Sequence, residues 1–379
     1  MAKRKVLITH AVPVNNGDAA LVTSLYDTLI QAGHEVTIAT FYYDIVKAKY
    51  PQLPFIRELG DYYFLRKLPF LKTSFIKLNY WLNRQYRSHD VYIAAPGGYI
   101  NSYYYLGHAL APLIEAHKDG KKTAIYAQSI GPLNDQDKVR FVNAAKAIDR
   151  LRVRDTFSKV VMQELPYPGD YLRTKDAAFL LPLQDNIQTS SKQVAVSVRQ
   201  WGHDDRDMKT YLSLMAEMCN YLVKQGYEIV FLSTCQGVPG YKDDSETATE
   251  VQELLANEFG LSEQITVDNT YYTIDALMQR LQDFDLVLGT RLHMCILAWV
   301  NRVPALNISY EVKGKECYTY LGIPEYSIDF NQDTATALQT LGEFVTERAA
   351  IKTSTLATIE TIHLEVLQDF QRFQDTLMD

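Results

Sequence analysis

Short apolar runs alternate with segments of helical period along most of this chain, and few folds accept that alternation. Residues 5–10 (KVLITH) read as a strand, 18–31 as an amphipathic helix closed by Gly33, and 35–40 as the next strand. Together they make a βαβ unit. Further strands are expected at residues 90–95 (DVYIAA), 123–128 (TAIYAQ) and 150–153. A second series follows at 194–198 (VAVSV), 228–233 (EIVFLS), 285–289 (DLVLG) and 304–308 (PALNI), with helix-period stretches such as 208–224 and 274–281 between them. Near-continuous apolar strands separated by helices argue for parallel sheets covered on both faces. Two such series predict an α/β protein of two Rossmann-like domains, with the active site in an interdomain cleft.

The 379 residues suffice for two domains, and 47% hydrophobic with 22% charged residues is the composition of a packed globular chain. The charge is unevenly spread. Residues 1–190 carry 24 Lys+Arg against 17 Asp+Glu, a charge of +7; residues 191–379 carry 14 against 28, a charge of −14. The sign changes near the weakly patterned stretch 181–193, the expected linker. The expected domains are 1–185, basic, and 186–350. A terminal segment, 351–379, places Leu356, Ile359, Leu367, Phe370, Phe373 and Leu377 near one helical stripe and is expected to cross back to the first domain.

Several functions find no support. Overall net charge is −7, which gives no reason to expect nucleic acid as a partner. No GxGxxG follows the first strand, no GxxxxGK[ST] occurs, and no His, Asp or Glu cluster has metal-ligand spacing. Cys219, Cys235, Cys295 and Cys317 lie 16, 60 and 22 residues apart, unlike zinc or redox motifs, and point to a reducing cytoplasm. No apolar run approaches the ~20 residues needed to span a bilayer.

In doubly wound sheets ligands bind beyond the carboxyl ends of the strands. There the chain places Asn15-Asn16-Gly17-Asp18, Pro96-Gly97-Gly98-Tyr99, Gln128-Ser129-Ile130-Gly131-Pro132, Arg199, Arg291-Leu292-His293 and Ser309-Tyr310-Glu311-Val312-Lys313. Arg199 and Arg291 leave nearby strand ends, so two guanidinium forks can converge on a carboxylate or a phosphate. His293 opens an apolar helix, where free N–H groups favour an anion and an imidazole can move protons near neutral pH. Simpler readings exist for each: an ion pair for Arg199, a helix cap for His293 or Asp18, a turn for Gly97-Gly98.

Taken in order, these motifs resemble the polysaccharide pyruvyl transferase family. The resemblance also includes Val153-Arg154-Asp155, Asp176-Ala177-Ala178-Phe179, Ser197-Val198-Arg199 and Leu321-Gly322, and runs from about residue 15 to 322. It implies a glycosyltransferase-B-like fold. It also implies transfer of the pyruvyl group of phosphoenolpyruvate to a sugar diol, giving a cyclic ketal, with no cofactor beyond that co-substrate and no metal. On this resemblance His293 is the acid/base residue, with Arg199 and Arg291 beside it. Arg199, Arg291, Ser309, Tyr310 and Lys313 hold the donor. Asn15, Gly17, Asp18, Gly97, Gly98, Tyr103 and Gln128 face the acceptor, a sugar that is lipid-linked, nucleotide-linked or polymeric. A glycosyltransferase using a nucleotide sugar and an inactive carbohydrate-binding partner are the competing readings on the same architecture.

One stretch stands apart. From Tyr62 to Arg87 the chain holds Arg66, Lys67, Lys72, Lys77, Arg84 and Arg87, no acid, and interleaved Phe, Leu and Trp. Two readings remain for it: an element lying in the inner face of a membrane, or a helix packing its apolar side on the first domain.

Overall fold

The computed structural model describes residues 3–67, 71–185, 191–201, 207–237, 240 and 242–378, apart from the side chains of Arg66 and Lys67. The chain divides into two units. The first comprises Met1–Val14, Asp18–Leu181 and Leu364–Asp379; the second comprises Asn15–Gly17 and Pro182–His363.

Each unit is built on one parallel sheet. The first contains β1 (Lys5–Ala11), β2 (Glu35–Thr40), β3 (Phe55–Arg57), β4 (Val91–Ala94), β5 (Gly97–Ile100), β6 (Lys122–Ile130), β7 (Arg150–Val153) and β8 (Tyr171–Arg173). Their order is β3-β2-β1-β4-β6-β7-β8, with β5 paired to β6. The second contains β9 (Gln193–Ser197), β10 (Glu228–Leu232), β11 (Ile265–Asp268), β12 (Leu286–Gly289), β13 (Ala305–Ser309) and β14 (Ser327–Asp329), in the order β11-β10-β9-β12-β13-β14. The apolar runs behave as expected of strands covered on both faces. Val6, Leu7 and Ile8 are buried in β1, and Val194, Ala195 and Val196 in β9. Both sheets start at an inner strand, grow to one side, then reverse. The reversals fall between β1 and β4, paired Val6 to Val91, and between β9 and β12, paired Val194 to Leu286. A reversal leaves a crevice beyond the carboxyl ends of the two strands, because their connecting helices lie on opposite faces.

The structure departs from the sequence reading in three places. Gly97-Gly98 is not a turn: it opens β5, with Gly97 opposite Gln128. The strands β3, β8, β11 and β14 went unread because they are only three or four residues long and each carries an Arg or Asp in its run. The terminal helix is far longer than the expected stripe, running from Thr334 to Met378. Its many threonines, which ordinarily weaken a helix, return their hydroxyls to carbonyls four residues back, as Thr340 to Thr336 and Thr353 to Ala349.

The last residues of that helix belong to the core of the first unit. Phe370 and Phe373 pack on Tyr126, with ring centroids 5.1 and 4.9 Å away. Beside them Arg152 donates to Asp369 at 3.1 Å, and Arg4 to the carbonyl of Met378 at 2.8 Å. Phe370 is fully buried whereas Leu364, on the same helix, is 57% exposed. Phe370→Ala should therefore lower the unfolding free energy by about 3–5 kcal/mol and Leu364→Ala by less than about 0.5. Urea denaturation of both variants checks this; equal effects would contradict the packing.

Candidate active site

The second unit gathers the cationic residues at its sheet reversal. Arg199 lies two residues past the end of β9 and Arg291 two past the end of β12, on strands that are hydrogen-bonded neighbours. Tyr310 follows β13 directly. Backbone bonds tie these ends together: Thr290 N–H donates to Ser197 O at 2.8 Å, and Arg291 N–H to Ser197 Oγ at 3.3 Å. From the helix Met208–Lys224, the buried Tyr211 hydroxyl accepts from Arg199 N–H at 3.3 Å and shares a 2.7 Å bond with Thr290 Oγ1. Its ring is stacked on Phe330 at 4.1 Å, so one immobile phenol sets the start of both arginine loops.

The two arginines are held differently. The Arg199 guanidinium lies over Trp201 and Tyr310, 4.9 and 4.6 Å from the ring centroids, and donates through Nη1 to the Tyr310 hydroxyl. Aromatic faces carry its charge without neutralising it. Arg291 instead forks onto Asp244: Nε reaches the two carboxylate oxygens at 3.2 and 2.9 Å, and Nη2 reaches Oδ1. Burial works against the Arg291 charge, but Asp244 outweighs it and raises the guanidinium above its usual range. Asp244 opens the helix Asp244–Phe259, and its N–H donates to Cys235 O at 2.9 Å. The fork uses one edge of Arg291 and leaves Nη1 outside it. Among the other donor-side residues, Ser309 Oγ donates to Glu311 O at 2.7 Å, and Lys313 pairs with Glu311 at 3.5 Å. Two guanidinium groups against one carboxylate leave the cluster one positive charge, since Lys313 and Glu311 cancel.

His293 is the second residue of the helix Leu292–Val300 and is half-buried. Gly17 lies directly against it. A Cβ at Gly17 would stand 2.6 Å from His293 Nδ1 and 3.0 Å from Cγ, so only glycine fits there. The neighbouring Asn16 fixes that segment to the second unit, donating from its backbone to Thr234 O at 2.8 Å and from its side chain to Tyr272 O at 2.9 Å. Of the expected acceptor residues, Asn15 and Gly17 thus group with His293, while Asp18 belongs to the first unit. At the start of the same helix Asp243 lines a pocket of about 430 Å³, together with Gln236, Glu246, Thr249, Asn269 and Tyr271 among others.

The first unit holds the remaining acceptor-side residues. Gly97 and Gln128 pair across β5 and β6, and Gln128 Nε2 donates to Ala95 O at 3.1 Å. Tyr103, on the same unit, is 78% exposed. At the β1–β4 reversal His10 takes a left-handed backbone, φ 57°. Its N–H is held by Glu58 at 2.7 Å, and its ring is wedged between Phe41 and Tyr99. Other short motifs form a buried polar strap instead: Arg154 donates to Asp176 at 2.9 Å and to Ser129 at 3.0 Å, and Ser129 donates to Asp155.

This geometry meets the comparisons with known proteins. The family model for polysaccharide pyruvyl transferase matches residues 15–312. The chain belongs to the polysaccharide pyruvyl transferase family. Among curated proteins it is similar to the amylovoran biosynthesis protein AmsJ of Erwinia amylovora, 24% identical over 241 residues, 59% of this chain and 56% of that protein. The match thus spans little more than half the length of that relative. Among solved structures the chain is similar to a glycosyltransferase from Rickettsia africae ESF-5, TM-score 0.66 at 12% identity, with 100% of this chain and 99% of that one covered. It is also similar to the UDP-GlcNAc 2-epimerase of Methanocaldococcus jannaschii, TM-score 0.60 at 10% identity, with 89% and 92% covered. These likenesses show a glycosyltransferase-B-like fold.

Asp244, Tyr211 and Trp201 are the site residues that the sequence reading of this family member missed. An Asp-Asp-Ser helix start is visible at 243–245, but nothing in it announces a partner 47 residues away.

In the first unit, burial, then Lys72 and His108, lower the His10 imidazole to about 3. Burial and Lys72 lower His108 to about 4. Both stay neutral where the unfolded chain takes up protons, so their contribution to stability is present above about pH 6.5 and is lost as pH falls. Glu58, raised by burial, has the opposite sign and is common to wild type and variant. His10→Asn, which tolerates the left-handed backbone, should flatten the loss of stability between pH 6.5 and pH 4 by up to about 1.4 kcal/mol per pH unit. Denaturant titrations at several pH values check this; parallel curves for variant and wild type would refute it.

Proposed function

We propose that this chain transfers the pyruvyl group of phosphoenolpyruvate to two hydroxyls of an exopolysaccharide precursor, forming a cyclic ketal and releasing phosphate. The observation that carries the reading is the pair Arg199 and Arg291 flanking the β9–β12 reversal. Membership of the pyruvyl transferase family and the likeness to a protein named for amylovoran biosynthesis support it. Phosphoenolpyruvate presents a carboxylate and a phosphate on adjoining positions of one carbon centre, which suits two guanidinium groups held at fixed places. The four free, buried cysteines fit work in a reducing cytoplasm.

In the reaction His293 delivers a proton to the methylene carbon, leaving an oxocarbenium-like C2. One sugar hydroxyl adds to C2 and passes its proton to the now neutral His293. The bond from C2 to the phosphate oxygen breaks, and phosphate departs with that electron pair. The second hydroxyl then adds to C2, passes its proton to the released phosphate and closes the ketal, leaving His293 protonated as at the start. Negative charge gathers on the leaving phosphate, so the net positive arginine cluster stabilises that step more than the ground state. Ser309, Tyr310 and Lys313 complete the donor side. Asn15, Gly17, Asp18, Gly97, Gly98 and Gln128 serve the acceptor, and the pocket beside Asp243, lined with hydroxyl, amide and carboxylate groups, suits sugar hydroxyls better than phosphate.

Phosphate release from labelled phosphoenolpyruvate in the presence of acceptor extracts tests the reading. Release of a nucleotide from nucleotide sugars, with none of phosphate from phosphoenolpyruvate, would assign a glycosyltransferase instead. His293→Ala should cut turnover at least about 100-fold while donor binding persists; a near-normal rate would return His293 to a helix cap.

The arginine fork gives a separate expectation. Asp244→Asn removes the carboxylate charge but keeps its shape, freeing Arg291 to move. It should raise the donor KM and lower kcat together by roughly 10- to 100-fold, and Asp244→Glu should restore part of both. Unchanged kinetics in a folded Asp244→Asn protein would show that the fork does not position Arg291.

A further inference from the structure

The basic, aromatic stretch that the transferase chemistry does not use forms a distinctive surface of the first unit. Its helix Lys72–Leu82 buries Ile76 and Tyr80 in the core. On a helix the opposite side would ordinarily be polar. Here it is apolar: Leu78 is 59% and Leu82 72% exposed, with Leu71 and Trp81 also open to solvent. Leu71, Leu78, Trp81 and Leu82 fall at spacings of seven, three and four, which is one stripe. Phe64, also exposed, extends the patch by packing edge-on against Phe75 of the helix at 5.1 Å.

The charged residues divide into two groups. Arg87 is committed: it donates to Asp119 at 2.9 and 3.1 Å and covers the Trp81 ring at 4.8 Å. Lys72 lies over the Phe41 ring at 4.9 Å. Trp81 is itself anchored, its indole N–H donating to Glu115 at 2.9 Å. Lys77 and Arg84 are exposed beside the stripe, and residues 62–87 contain no acid. The side chains of Arg66 and Lys67, and residues 68–70, lie outside the described residues.

We propose that the face formed by Leu71, Leu78, Trp81 and Leu82 docks on an anionic lipid surface. Leucines at the centre of a helix face, a tryptophan with a fixed ring, and flanking Lys and Arg match the order of acyl chain, interface and phosphate met on entering a bilayer. Among the described residues no helix is long and apolar enough to cross a membrane, so the contact is one of lying on the surface. Charge complementarity selects this occupant: Glu115 and Asp119 are taken up by Trp81, Lys118 and Arg87, and the exposed charges beside the stripe, Lys77 and Arg84, are both positive, so they repel a second copy of themselves and attract lipid phosphate.

Sedimentation with equimolar phosphatidylglycerol and phosphatidylcholine vesicles tests the proposal, without phosphoenolpyruvate or acceptor, so that the result is independent of the transferase reading. The protein should pellet at low salt, come off as salt rises, and stay in the supernatant with phosphatidylcholine alone. Leu78→Gln with Leu82→Gln should weaken binding at least about ten-fold. Lys77→Gln and Arg84→Gln should each weaken it about five-fold, the equivalent of about 1 kcal/mol per charge. Thermal melts should match wild type, because all four side chains are solvent-exposed. Brominated lipid should quench wild-type fluorescence more than that of Trp81→Phe. Wild-type protein remaining in the supernatant at low salt overturns the proposal. So does binding indifferent to the leucines, or a dimer that Leu82→Gln dissolves without any vesicle binding.

Discussion

The second unit's site depends on one buried carboxylate. Without Asp244, two guanidinium groups would share one crevice at full charge, and the fork that orients Arg291 would be lost. With it, Arg291 is fixed along one edge and the cluster keeps a single net positive charge. A buried charge pair is a poor source of stability, because desolvation consumes most of the attraction, but it is a good source of orientation. Arg199 reaches the same end by another route. Two aromatic faces confine it and leave its charge unpaired by a carboxylate, so the crevice combines one arginine aimed by an ion pair with one aimed by aromatic rings.

That arrangement could be half-read in the sequence. The polar residues following each apolar run are visible, and the rule that ligands gather beyond carboxyl ends makes Arg199, Arg291 and His293 candidates from sequence alone. What the sequence could not carry is adjacency across the sheet. The pairing of β9 with β12, separated by nearly ninety residues, follows from the reversal of strand order, and no local pattern encodes it. Asp244 and Tyr211 were missed for the same reason: each reads locally as part of an ordinary helix, and each acquires its role only from what the sheet brings opposite. The short strands were missed for a different reason, since three residues do not make a period.

Glycine at position 17 shows how close approach, rather than unusual backbone, can demand this residue. Gly17 is the second residue of the helix Asn16–Gln31, so no turn asks for it. The stronger constraint is the His293 imidazole, which fills the volume that any side chain at 17 would need. The Asn15–Gly17 segment therefore reaches the second unit's histidine directly, and Asn16 anchors it with two hydrogen bonds. A motif at the far end of the chain from His293 thus controls the position of that ring.

The two sheet reversals carry opposite chemistry. In the second unit the crevice retains a positive charge and keeps it under burial, the condition for holding an anion. In the first unit burial and the neighbouring Lys72 hold the His10 and His108 imidazoles neutral, with Glu58 bound by backbone N–H groups and a tyrosine hydroxyl. A neutral imidazole has little to offer a phosphate, but it can accept from or donate to a hydroxyl, which is neutral as well. Under the proposed reaction this is the division the substrates require. The donor carries all the negative charge and the reacting groups of the acceptor carry none. The +7 and −14 balances of the two halves do not follow that division, because the acidic half contains the arginine site. Net charge describes the surface of each unit, and the chemistry is set by the few residues at the reversal.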